Sequence, residues 1–179
     1  MEKTPLYEIS QRYAKLSSDS CCLSCGGAIN YANIKKGEIC VDIGSGRGND
    51  SIKMAMATGN TGFVYGIDIT DEMINTAKNL ANKLNISNVN FIKSTIEKIN
   101  LPNEIADVVI SNCTINHSTN KFSTYSEIFR ILKKNGRIII SDIYSIQPVP
   151  PEYHNDPIAI SECWGGAITK NEYLYIINS

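Results

Sequence analysis

A chain of 179 residues with 42% hydrophobic and 20% charged residues has the usage of one globular domain and is long enough to bury a sizeable core. Its 17 Lys and Arg against 18 Asp and Glu give a formal charge of −1 with no block of like charge, which argues against a nucleic acid or an anionic membrane as partner. No apolar run approaches the roughly 20 residues of a membrane span and the first residues lack a signal-peptide core, so a cytoplasmic protein is expected.

Pro5 opens a helix over 5–17, with Leu6, Ile9, Tyr13 and Leu16 at helical spacing. Residues 17–27 are small and polar without periodicity, a loop carrying Cys21, Cys22 and Cys25. Residues 38–43 form an apolar, β-branched run ending in Gly44-Ser-Gly-Arg-Gly48, as a buried parallel strand entering a glycine turn would, and 49–57 follow as helix. A strand over 63–67 ends at Asp68, and a helix from about Asp71 carries Met73, Ile74, Ala77, Leu80, Ala81 and Leu84 on one stripe. Strands over 89–92 and 107–111 come next. A helix with Phe122, Tyr125, Ile128, Phe129 and Leu132 is expected to close at Asn135-Gly136, ahead of a strand over 137–141. Gln147-Pro-Val-Pro-Pro151 reads as an extended linker, and Thr169-Lys-Asn-Glu172 as a capping box for a last amphipathic segment. Strands alternating with helices predict an α/β domain with a parallel sheet. It divides into an N-terminal helix and cysteine loop (1–33), a core (34–145), and a linker with the Cys163 segment (146–179).

A strand, a glycine turn and a helix start form a cradle for a ligand, because glycine admits close backbone approach and the helix start presents free N–H groups. The spacing Gly44-x-Gly46-x-Gly48, with Asn49 next, fails the dinucleotide fingerprint. Asp42, two residues before the first glycine, would repel a pyrophosphate and welcome an ammonium group. S-adenosylmethionine has that chemistry: an amino-acid end, a sulfonium cation and no phosphate. Asp68 stands where open α/β sheets contact ligands and can accept both ribose hydroxyls, unless it only caps the next helix with Thr70 and Asp71.

Val41-Asp-Ile-Gly-Ser-Gly-Arg-Gly48 and Gly66-Ile-Asp68 resemble the first two motifs of class I methyltransferases, over about residues 34 to 143. The resemblance implies a Rossmann-like sheet binding S-adenosylmethionine. Asp42, Gly44, Ser45 and Gly46 would face the methionine end, and Asp68, Ile69, Met73, Thr95, Ile96 and Glu97 the adenosine side. Asn112 would border the methionine moiety and the methyl acceptor.

Such a fold would bring Cys25, Cys113 and Cys163 to one mouth, and a soft thiolate cluster suits a thiophilic centre. Zinc on Cys22, Cys25, Cys113 and Cys163, and a redox Cys22-Leu-Ser-Cys25 pair, are weaker readings of the same thiols. The segment 23–38, Ser111-Asn-Cys-Thr-Ile-Asn116, Ser141-Asp-Ile143 and Glu162-Cys-Trp-Gly-Gly-Ala167 are similar to segments of arsenite methyltransferases. That resemblance makes Cys25, Cys113 and Cys163 the ligands of trivalent arsenic and implies a thiol reductant as partner. Cys21 and Cys22 resemble a cysteine pair common upstream in bacterial members, and Cys40, inside a strand, reads as core. The implied reaction is in-line attack of the arsenic lone pair on the sulfonium methyl, which needs no general base. His117 and His154 then read as loop or surface residues and Glu97 as adenosine-side or structural, although His117 stands where many relatives carry an apolar residue. A quinone-biosynthesis type of methyltransferase, and a thiolate-binding module without turnover, are the alternatives. The family fold adds an antiparallel hairpin beside the fifth strand, and no strand is expected here after 137–141; either the chain is a fragment or a natural truncation, or a second copy is expected to cover that open edge.

Overall fold

The computed structural model describes residues 4–18 and 26–179; Cys21, Cys22 and Cys25 lie outside the described residues. The apolar runs become β1 (Ile39–Ile43), β2 (Phe63–Asp68), β3 (Val89–Lys93), β4 (Ala106–Asn112) and β5 (Leu132–Ser141). They pair in parallel in the order β3-β2-β1-β4-β5. The central strands β1 and β4 are buried on both faces along most of their length, in keeping with their mainly apolar sequences. Each fully buried Ile or Val there, such as Val41, Ile43, Val109 and Ile110, stabilises the fold by about 2 kcal/mol.

Helices cover both faces: α1 (Pro5–Leu16), α2 (Ala28–Tyr31), α3 (Asn49–Thr58), α4 (Asp71–Lys83), α5 (Lys121–Ile131), α6 (Pro151–His154), α7 (Pro157–Ser161) and α8 (Lys170–Asn178). Helix α4 buries Met73, Ile74, Ala77 and Ala81, the predicted stripe. One core lies between the sheet and α5 with α8; a second joins Ala28 and Ala32 to Met54, Ala55 and the opposite sheet face. Thr4 caps α1, and the capping box of Thr169 and Glu172 opens α8 as predicted.

Two expectations change. Helix α5 ends at Ile131, not at Asn135-Gly136: Leu132 is already extended and pairs with Ala106. The next pair is Val108 with Arg137, so five steps on β5 match two on β4 and three residues loop out, with Asn135 in the left-handed region that its short polar side chain tolerates. The proline linker is not extended throughout, because Pro151 opens α6; proline fits a first helical position, where its missing N–H has no partner to lose. No described helix is long and apolar enough to cross a membrane.

The sheet order reverses between β1 and β4, whose following chains go to opposite sides. Their C-terminal ends therefore open a crevice, and the glycine turn, Asp68, Asn112 and Cys113 all follow strand ends on that side.

Candidate functional site

The glycine turn is fixed by the neighbouring strand. Gly44 and Ser45 donate their N–H groups to the Ile67 carbonyl at 2.8 and 2.9 Å. Gly44 has φ +73°, and a Cβ there would collide with the Thr114 side chain, so only glycine lets the segment after β4 close on the turn. Gly46 has φ +50° but faces open space, leaving its backbone accessible to a ligand. Its N–H donates to Asp68 Oδ2 at 2.9 Å, while Asp68 Oδ1 accepts from Thr70 N at 2.8 Å. The capping role weighed for Asp68 is thus present, and its carboxylate also stands on the cavity wall.

Burial raises the Asp68 pKa, against those backbone hydrogen bonds. Asp42 is buried more completely and is pushed up to about 7 by desolvation, despite a 2.6 Å hydrogen bond from Ser51 Oγ, with Asp50 and Asp68 as like-charged neighbours. A cation beside these carboxylates would relieve that cost. Asp50 also binds Asn112, whose Nδ2 donates to Asp50 Oδ2 at 2.7 Å and whose Oδ1 accepts from Ala28 N at 3.0 Å. Gly26 packs against Asn112 and Ser141, where a Cβ would collide with both side chains.

These residues line a cavity of about 390 Å³, within the usual range of small-molecule sites. Asp42, Gly44, Ser45, Gly46, Asp68, Ile69, Thr95, Ile96, Glu97, Asn112 and Cys113 all line it. Met73 does not: it is fully buried in α4 and packs the core. Ser45 Oγ is buried on the wall with no hydrogen-bond partner among the described residues. An unmatched hydroxyl, an open backbone at Gly46 and clustered carboxylates fit a ligand with a polar amino-acid end.

At the other side of the crevice the Cys163 thiol meets the backbone of Cys113. Cys163 Sγ donates to the Cys113 carbonyl at 3.3 Å and lies 3.8 Å from Asp142 Oδ1. Both cysteines are left-handed, with φ of +51° at Cys113 and +74° at Cys163, an uncommon backbone for a residue with a Cβ. Cys113 N is held by the Ser141 carbonyl, and Cys163 N by that of Ile160. Burial drives the Cys163 thiol pKa far up, and Asp142 adds to it, so the group is a neutral thiol. Asp142, itself raised by burial, accepts from Asn116 N, Asn116 Nδ2 and Ile143 N. The Asn116 carboxamide also accepts from Tyr173 at 2.6 Å, which ties α8 to the thiol site. Gly166 lies so close to the Asn116 carbonyl that no Cβ fits, and its own carbonyl accepts from Lys121 Nζ. Cys40 is core, its thiol pushed up to about 12 by burial.

His117 corrects the expectation of a loop or surface residue. It lies in a short 3-10 helix (Ile115–His117), lines the cavity and is almost wholly buried, because Tyr13 and the Ile160 carbonyl satisfy both ring nitrogens. His154, the last residue of α6, is partly exposed. Tyr13, Asp50, Asp142 and Lys121 also belong to the site and were given no role from the sequence. Tyr13 sat on a helical stripe that reads as core, Asp142 entered only within the Ser141-Asp-Ile143 segment, and nothing local distinguishes Asp50 and Lys121.

The crevice, the glycine turn and the acid after β2 define the fold of class I S-adenosylmethionine-dependent methyltransferases. The family model described as a methyltransferase domain matches residues 34–179, and the chain belongs to that family. An arsenite methyltransferase of Halobacterium salinarum is 35% identical over 150 residues, 84% of this chain and 38% of the relative. An arsenic(III) S-adenosylmethionine methyltransferase from Chlamydomonas reinhardtii superposes with a TM-score of 0.73 at 27% identity, over 96% of this chain and 60% of that one. A ubiquinone/menaquinone biosynthesis C-methyltransferase of Erwinia tasmaniensis is 26% identical over 156 residues, 84% of this chain and 62% of the relative. The chain spans about two fifths of the length of the curated arsenite methyltransferases it matches.

Proposed function

We propose that the protein transfers a methyl group from S-adenosylmethionine to trivalent arsenic held by Cys25, Cys113 and Cys163. The observation that carries this reading is the pairing of Cys113 and Cys163, 50 residues apart, at the edge of the cofactor-shaped cavity. Asp42 with the backbone of Gly44 to Gly46 would hold the methionine end, Asp68 the ribose hydroxyls, and Ile69, Thr95, Ile96 and Glu97 the adenosine side. S-adenosylmethionine supplies an electrophilic methyl on a sulfonium centre.

A high thiol pKa is no obstacle to arsenite capture. Each As–S bond replaces an As–O bond, the thiol proton leaving with the hydroxide as water, so no free thiolate accumulates. Arsenic stays trivalent and keeps its lone pair. Attack of that pair on the methyl carbon would break the carbon–sulfur bond, release S-adenosylhomocysteine and oxidise arsenic by two electrons, which a thiol reductant then restores. Positioning rather than proton transfer carries the rate. The reading includes a cytoplasmic protein that binds neither nucleic acid nor membrane. It also places a second copy on the outer edge of β5, where exposed Ile143, Tyr144 and Ile146 follow the strand; light scattering showing a monomer at micromolar concentration would remove that part.

The test is purified protein with S-adenosylmethionine, arsenite and a thiol reductant, with methylated arsenic read by mass spectrometry beside the Cys113→Ser and Cys163→Ser variants. Product that vanishes in both variants is expected. Activity on a small organic acceptor that survives both would favour the second reading, a quinone-biosynthesis type of methyltransferase, which the Erwinia relative supports. Tight arsenite binding without product would make the chain a thiolate-binding module.

A further inference from the structure

Helix α1 touches both sides of the site, and one imidazole carries its attachment. Leu6, Ile9 and Tyr13 of α1 line the cofactor-shaped cavity. Tyr13 Oη lies 3.0 Å from His117 Nε2, with the two rings edge to face at 5.4 Å, and His117 Nδ1 lies 2.9 Å from the Ile160 carbonyl. A carbonyl only accepts, so Nδ1 carries the proton, Nε2 accepts, and the Tyr13 hydroxyl donates. Burial lowers the His117 pKa and keeps the ring in this neutral form.

A second tie runs from Arg12 to Glu162 at 3.2 Å, and Glu162 also accepts from the Trp164 indole at 3.1 Å. The attachment points of α1 are therefore His117, four residues past Cys113, and Ile160 and Glu162, which flank the approach to Cys163. The helix that closes the cofactor cavity is fastened to both thiol-bearing segments.

We infer that Tyr13 and His117 are positioning residues that couple the two sites: a ligand in the cavity seats α1, and seated α1 holds Cys163 against Cys113. A ligand on either side that favours the seated α1 raises the affinity for the other, by the same factor in both directions. The cofactor side stands on the fold; the identity of the second ligand rests on the proposed function.

Trp164 is the sole tryptophan and packs on Tyr153, with ring centroids 5.1 Å apart, so its emission reports the Cys163 segment. S-adenosylhomocysteine added without arsenite is expected to change that emission in the wild type. Tyr13→Phe and His117→Leu are expected to bind S-adenosylhomocysteine about three- to tenfold more weakly in calorimetry and to lose the emission change. His117→Gln keeps one acceptor and one donor and is expected to restore part of it. Circular dichroism checks each fold, and Tyr13→Phe, which deletes one hydroxyl, decides the matter if the leucine variant does not fold. An unaltered response in Tyr13→Phe, or none in the wild type, overturns the inference. With saturating S-adenosylhomocysteine, arsenite should bind the wild type several-fold more tightly, and Tyr13→Phe with equal affinity in its presence and absence. Wild type that binds no arsenite yet keeps the emission response would refute the arsenic reading alone; wild type that binds arsenite without coupling would refute the coupling alone.

Discussion

The two sides of the crevice are held together by different means. On the glycine-turn side, backbone makes the shape: Gly44, Ser45 and Gly46 spend their N–H groups on Ile67 and Asp68, and the end of β2 fixes where both partners stand. On the thiol side, side chains make it: Asp142, Asn116, Tyr173 and Lys121 link β5, the segment after β4, α8 and the loop at Gly166. A backbone site fails when a Cβ intrudes and tolerates most other changes. A side-chain network fails piece by piece, because each member satisfies several buried partners at once.

Gly44→Ala should produce the largest effect. The left-handed backbone and the collision with Thr114 together predict a loss of about 2–5 kcal/mol in urea unfolding, with S-adenosylhomocysteine binding lost as well. Gly46→Ala is the paired experiment: the backbone penalty alone, about 1–2 kcal/mol, applies because no atom crowds the new methyl. Its methyl projects toward the ligand, so binding should weaken by an order of magnitude or more. Equal stability losses in the two variants would contradict the assignment of Gly44 to packing and Gly46 to ligand approach.

This side was the legible one. A glycine turn after an apolar run, and an acid ending the next run, are local signals, and every strand was readable from its β-branched residues. The thiol side was legible only in its cysteine motifs. Asn116, Asp142 and Tyr173 come together from the 3-10 helix after β4, the segment after β5 and α8, and no local periodicity foretells a meeting of residues so far apart in sequence. His117 shows the same limit, since its burial depends on Tyr13, which is 104 residues away. The early end of α5 was missed because pairing with Ala106 outweighs the local Asn-Gly signal.

Asp42 gives a pH-dependent contrast between the sides. Its carboxyl titrates near 7 in the folded chain and near 4 when unfolded. From about pH 4 to pH 7 the unfolded state has lost this proton while the folded state retains it, so stability falls as pH rises through that window and levels off above it. Asp42→Asn, whose carboxamide oxygen still accepts from Ser51, should remove this slope and stabilise the unliganded protein by about 1–3 kcal/mol at pH 8. The same change should weaken S-adenosylhomocysteine binding at least tenfold, since the ligand ammonium loses its carboxylate. A variant with both stability and affinity unchanged at pH 8 would mean that Asp42 neither bears a burial cost nor meets the ligand.

Tyr173→Phe should give the smallest effect, and it tests how far the thiol-side network extends. The hydroxyl donates to Asn116 Oδ1 at 2.6 Å, and the Asn116 Nδ2 group donates to Asp142 and to the Ile143 carbonyl. Removing the hydroxyl leaves the phenyl ring packed against the α5 side of the core but strands a buried carboxamide oxygen, a loss of about 1–2 kcal/mol. Among the described residues the Asn116 carboxamide has no other bond at that oxygen to keep it in place, so it should rotate and loosen its hold on Asp142, and the Cys163 thiol should become more reactive toward a thiol-specific reagent. Hydrogen exchange over α8 and the rate of Cys163 labelling separate two outcomes. Faster exchange in α8 with unchanged labelling would confine Tyr173 to docking that helix. Both rates rising together would show that the network reaches from the C-terminal helix to the thiol, which a backbone-built site does not require on the glycine-turn side.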